Sequence, residues 1–176
     1  MAEGSCSEVE DDLLDGVDRW PTLTSDPPDP NADALLLGER PRAREGSIYL
    51  AQAYVPKSIN RHLREYQREG VRFLWDQYTT GVGGVLGDEM GLGKTVQTIA
   101  FLSAVMSKTA GPADRRRNFP LKADDCKQAL LVVPASTIGN RKRELRKWGF
   151  FRLAVAHGYE KEAAIASVQA RELEVL

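Results

Sequence analysis

At 176 residues, 42% of them apolar and 28% charged, the chain has one domain's length and a globular composition, which excludes a collagen, a coiled-coil rod or a disulfide-stapled miniprotein. No apolar run approaches the roughly 18–20 residues of a membrane helix, the acidic opening Met1-Ala2-Glu3-Gly4 carries no secretory signal, and Cys6 and Cys126, with no CxxC partner, read as reduced thiols of a cytosolic or nuclear protein. The net charge of −1 hides an asymmetry: residues 1–35 hold ten acids and one base, whereas residues 36–176 hold 23 bases and 15 acids.

Taken in chain order, residues 1–35 contain Glu8-Val9-Glu10-Asp11-Asp12 and Asp26-Pro27-Pro28-Asp29-Pro30. Clustered acids repel, and proline fixes φ and removes a donor, so this stretch has too little apolar surface to offset its ordering entropy. Residues 36–58, with Arg40, Arg42 and Arg44, read as a weakly structured lead-in. We therefore expect residues 1–58 to form a disordered acidic tail and lead-in, and residues 59–176 to form the folded unit.

From Ile59 the sequence becomes periodic. Leu63, Tyr66, Gly70, Phe73 and Leu74 recur at helical spacing, with Asn60 as an N-cap candidate. Gly81-Val82-Gly83-Gly84-Val85-Leu86-Gly87 reads as a short strand, and residues 94–108 as a helix burying Val96, Ile99, Ala100, Leu102 and Val105. Residues 109–128, including Arg115-Arg116-Arg117, form a long polar loop. Ala129-Leu130-Leu131-Val132-Val133-Pro134 reads as a buried strand, followed by a helix capped by Ser136 or Thr137 and running to about Trp148. A third strand at 153–156, a helix at 160–170 and the start of a fourth strand at 173–176 complete an alternation that predicts an α/β fold with a mostly parallel sheet and flanking helices. An uncovered last strand leads us to expect a fragment, an alternative product or an incomplete gene model.

The strongest signal joins the first strand to its helix: Gly87-Asp88-Glu89-Met90-Gly91-Leu92-Gly93-Lys94-Thr95. Glycines let backbone N–H groups converge on phosphate oxygens, and a helix N-terminus adds unpaired N–H groups and partial positive charge. Lys94 would reach the β/γ-phosphates and the Thr95 hydroxyl would hold Mg²⁺. The strict G-x-x-x-x-G-K-[ST] pattern is broken only by Asp88 at its first position. Arg141-Lys142-Arg143, Arg146 and Lys147 make a dense basic stretch on the next helix, read either as phosphate contacts to DNA or as a solvated face.

Asp88-Glu89-Met90-Gly91-Leu92-Gly93-Lys94-Thr95-Val96-Gln97-Thr98-Ile99 resembles motif I of the Snf2 (Swi2-like) ATPases, in which an acid takes the first glycine's place. Leu63-Arg64-Glu65-Tyr66-Gln67 with Gly70 resembles that family's adenine-side motif, and Leu131-Val132-Val133-Pro134-Ala135-Ser136 with Asn140, Glu144 and Lys147-Trp148 resembles its motif Ia. The resemblance covers roughly residues 55–176 and is closest to a DNA excision-repair branch. It implies a RecA-like P-loop lobe, here only its N-terminal part, within a nuclear, ATP- and Mg²⁺-dependent translocase on double-stranded DNA that works with repair or chromatin proteins and not at a membrane. It places Arg64 and Gln67 near the adenine, residues 88–95 around the phosphates, and Pro134, Ala135 and Ser136 toward DNA. Gly139 and Arg141 depart from the leucine and tryptophan common in the family, and no Asp-Glu-x-His stretch follows. The chain alone is thus expected to bind nucleotide without turnover. Two alternatives stand beside this: a non-catalytic nucleotide- or DNA-binding truncation product, and a P-loop NTPase of another class such as a DEAD-box RNA helicase.

Overall fold

A computed structural model describes residues 33–39, 52–112, 114 and 127–176. The acidic tail, Arg40, Arg42, Arg44, most of the polar loop with Arg115-Arg116-Arg117, and both cysteines lie outside the described residues.

The described parts of the lead-in, residues 36–39 and 52–58, are more ordered than their composition suggests. Strands β1 (Leu35–Glu39) and β2 (Gln52–Val55) pair antiparallel, with an irregularity between Leu36 and Gly38. Along β2 the period of two is plain: Ala53 and Val55 are buried while Gln52 and Tyr54 face water. Those two apolar side chains, together with Leu35, repay the ordering of a segment we expected to be weakly structured. The folded core therefore draws on residues upstream of 59.

Among the described residues five helices follow: α1 (Lys57–Asn60), α2 (Glu65–Thr80), α3 (Lys94–Val105), α4 (Ile138–Gly149) and α5 (Lys161–Gln169). The four longer ones, α2 to α5, fall where the periodicity placed helices; α2 ends on Gly81 in the left-handed conformation. Helix α3 is the centre of the molecule. Val96, Ala100 and Ala104 pack with Leu35, Val55, Ile59, Leu63 and Val71. On its other side Ile99, Leu102 and Val105 pack with Trp75, Leu145, Phe151 and Val175. A helix apolar on both sides is a buried helix, so its N-terminus is held in place by two packing clusters.

The sheet departs from expectation. Residues 82–89 are irregular, with Val85 87% exposed. A strand needs lateral partners for its N–H and C=O groups, and among the described residues none pairs with this stretch. The second, third and fourth expected strands contract to isolated parallel bridges, Ala129 with Val175 and Leu153 with Val175. Residues 174–176 lie between the other two segments: the Ala129 N–H donates to Glu174 O (2.9 Å), Leu131 N–H to Leu176 O (2.9 Å) and Ala154 N–H to Val175 O (3.2 Å). The direction is the expected one, but two or three residues per pairing make no ladder. The described architecture is therefore mixed helix and strand, with one small antiparallel sheet.

An ion pair ties these segments to α3. Lys108, just past the end of α3, donates to both carboxylate oxygens of Glu174 (3.0 and 2.8 Å) and to Phe150 O (3.3 Å). Both side chains are sealed from solvent, at 0% and 1% exposure. Glu174 also accepts from the Arg152 N–H at 3.0 Å.

Candidate nucleotide site

The segment from Asp88 to Thr95 turns through Met90-Gly91 and enters α3 at Lys94. Gly91 and Gly93 both take positive φ, +89° and +81°, which L-residues with a Cβ avoid. At Gly93 a second constraint applies: an added Cβ would lie 2.4 Å from Gln67 Nε2. The outer part of the turn is open, with Glu89, Met90 and Gly91 exposed. Because α3 starts at Lys94, its first unpaired N–H groups are presented at the end of this turn.

Lys94 makes no ion pair among the described residues. Its ammonium donates to two backbone carbonyls of the turn, Asp88 O at 2.5 Å and Glu89 O at 2.8 Å. Carbonyls offer partial charge only, so the ammonium keeps an unneutralised positive charge at a helix N-terminus. Thr95 is half-buried beside it. Among the described residues no group of three or more His, Cys, Asp or Glu is placed to hold a metal by itself. The donor set is one suited to a polyphosphate: an ammonium, a hydroxyl, helix N–H groups and glycines that leave room for anionic oxygens.

The residues expected on the adenine side reach the same turn. Gln67, buried on α2, accepts from the Arg64 N–H at 3.0 Å and donates through Nε2 to Leu92 O at 3.0 Å. Tyr66 Oη donates to the same carbonyl at 3.1 Å. The first turn of α2 is therefore fastened to the loop, and Arg64, at its N-cap position, is half-buried next to that junction. Glu65 faces outward, and hydrogen bonds from Arg68 (3.0 Å) and Arg72 (3.3 Å) hold its carboxyl below the usual carboxylate range.

Pro134, Ala135 and Ser136 are exposed and lead through the 3-10 turn Ala135–Thr137 into α4. Gly139 sits inside α4 without delaying its start. Of the basic residues on α4, Arg143, Arg146 and Lys147 are exposed, while Arg141 and Lys142 are half-buried. Those two line a cavity of about 280 Å³ with Leu131, Val133, Ile138 and Leu153. None of residues 88–95 borders it.

Three residues without an assigned role in the sequence reading belong to the site. Tyr66 shares the Leu92 carbonyl, and Gly70 and Gln97 meet behind the loop, where Gln97 Nε2 donates to Asp88 Oδ2 at 2.8 Å. Gln97 carried a legible signal: an amide placed among Val96, Ile99 and Ala100, on the buried face of an apolar helix.

The sequence matches the SNF2-related domain over residues 66–175. It is 43% identical over 131 residues, 69% of this chain, to the DNA excision repair protein ERCC-6-like 2 of Mus musculus. It is 43% identical over 124 residues, 70% of the chain, to Switch 2 of Arabidopsis thaliana. Against the chromatin-remodeling ATPase INO80 of Gibberella zeae the identity is 39% over 93 residues, 53% of the chain. The chain spans 8%, 14% and 4% of the lengths of these three proteins.

Proposed function

The chain belongs to the SNF2-related family, and from that premise we propose that it is the ATP-binding portion of a Snf2-type translocase on double-stranded DNA, acting in DNA repair or chromatin in the nucleus. Its lobe is RecA-like, and the short parallel pairings around Val175 belong to that lobe's parallel sheet. The names of its relatives, excision-repair and chromatin-remodeling proteins, support the pathway.

One observation carries the nucleotide reading: an ammonium that, among the described residues, is bound only to loop carbonyls, at the start of a buried helix, behind two glycines of positive φ. In this reading a triphosphate replaces the carbonyls of Asp88 and Glu89 as the partner of Lys94. The N–H groups of residues 91–95 receive phosphate oxygens. The Thr95 hydroxyl ligates the Mg²⁺ that arrives with the nucleotide. Arg64 and Gln67 lie on the adenine side, while Pro134, Ala135 and Ser136 face DNA. The 176 residues contain no Asp-Glu-x-His stretch to complete a Mg²⁺ site and orient water, so the chain alone binds ATP without steady turnover.

The test is equilibrium binding of a fluorescent ATP analogue to the purified chain, with and without Mg²⁺. We expect saturable binding, weakened at least about tenfold by Lys94→Ala, the equivalent of losing one charge-assisted contact. Thr95→Ala should remove most of the Mg²⁺ dependence. Absence of binding at millimolar nucleotide, or affinity indifferent to Lys94→Ala, would overturn the proposal.

A further inference from the structure

We infer that Gln97 is a positioning residue for the phosphate loop, acting through Asp88. The inference deepens the nucleotide reading and rests on it for its functional meaning, but its first readout needs no nucleotide.

Gln97 is fully buried, at 0% exposure, on α3 beside the buried apolar residues Val96 and Ala100. An apolar side chain of similar volume would fill that space at no polar cost. Instead the amide donates from Nε2 to the Asp88 carboxylate at 2.8 Å, while its oxygen has no hydrogen-bond partner among the described residues. Turning the amide over does not relieve this, since it would set Oε1 against a carboxylate. A buried acceptor left unpaired forfeits its hydration with nothing in return and is destabilising. Such a cost is expected where a polar group serves the site more than the fold.

Gly70 on α2 makes the arrangement feasible. A Cβ at that position would lie 1.9 Å from Gln97 Oε1, so only glycine leaves the amide its seat. The contacts then run in one line: Gly70 admits Gln97, Gln97 holds the Asp88 carboxylate, and the Asp88 carbonyl accepts Lys94 Nζ at 2.5 Å. Asp88 stands at the position where the strict phosphate-loop pattern has glycine. A side chain there gives the loop a handle, and Gln97 is the residue that grips it. Gln97 thereby sets where Lys94 rests before a triphosphate claims it.

The experiment is a double-mutant cycle on the ligand-free 176-residue chain, read by hydrogen exchange of the peptide covering residues 88–95. Gln97→Met keeps the volume and removes both polar atoms. We expect exchange there to rise about tenfold, with thermal stability unchanged or raised because the unpaired oxygen is gone. Asp88→Ala should do the same, and Gln97→Met should add nothing in the Asp88→Ala background. Gly70→Ala should loosen the same peptide from the α2 side. Unchanged loop exchange in Gln97→Met, multiplying effects in the double variant, or a Gln97→Met chain that fails to fold would each overturn the inference. In the nucleotide-binding assay, Gln97→Met should lower affinity about tenfold, again only with Asp88 present. If the wild-type chain binds no nucleotide, the proposed function fails, while the exchange cycle still decides whether Gln97 positions the loop.

Discussion

Two lysines bracket α3, and their surroundings are opposites. Lys108 beyond its C-terminus is sealed from water and meets both oxygens of Glu174. Lys94 at its N-terminus is half-exposed and, among the described residues, meets only the carbonyls of Asp88 and Glu89. The same ammonium group is neutralised in the first place and merely solvated by dipoles in the second. A neutralised, buried charge has its partner for good, and leaving it unpaired is costly. A charge held by carbonyls in partial contact with solvent can exchange them for an anion at small cost. The helix thus ends in a fixed tie and begins in a replaceable one.

The largest expected effect comes from breaking the fixed tie. Lys108→Met or Glu174→Gln should each destabilise the chain by about 3–5 kcal/mol in denaturant unfolding, the range for orphaning one member of a buried pair. Replacing both, Lys108→Met with Glu174→Leu, should recover much of that loss. Recovery should be incomplete, because the Arg152 N–H and Phe150 carbonyl each lose a hydrogen bond as well. By contrast Lys94→Met should cost no more than about 1 kcal/mol, the net worth of an ordinary hydrogen bond. Equal losses at the two lysines would erase the distinction.

A smaller effect is expected from stiffening the replaceable end. Gly93→Ala places a Cβ at φ +81° and within 2.4 Å of Gln67 Nε2. The left-handed conformation alone costs about 1–2 kcal/mol, and moving Gln67 breaks its bond to Leu92 O. Unfolding measurements should show roughly that cost, with nucleotide binding reduced far more than stability. A variant that keeps wild-type affinity would contradict the assignment of this turn to phosphates.

The smallest effect lies outside both ties. Arg68 and Arg72 hold the Glu65 carboxyl below its usual range. A depressed folded value means the contribution is present at neutral pH, above the unfolded value, and is lost as pH falls through the folded one. Because the side chain is 58% exposed, solvent screens the pair. The stability difference between wild type and Glu65→Gln should be slight at pH 7 and vanish once pH falls below the depressed folded value. A difference that grows on acidification would reverse the sign of this account.

What the chain's own order of residues determined is its local grammar. Helical spacing in residues 63–74 and 94–105, glycines before Lys94-Thr95, and the motifs that led to the Snf2 family are all short-range patterns, because helix periodicity and turn chemistry act over a few residues. The hairpin of 35–39 and 52–55 was not legible: its ordering comes from burial against α2 and α3, and lead-in composition says nothing of that. The strand expected at 81–87 went the other way. Its residues suit a sheet, but pairing depends on neighbours distant in sequence, and none lies alongside among the described residues. Tertiary structure alone decided that Lys108 would find Glu174, 66 residues away, and that Gly70 would make room for Gln97. Periodicity carries no information about which distant polar group a buried side chain meets; packing of three helices and a loop does.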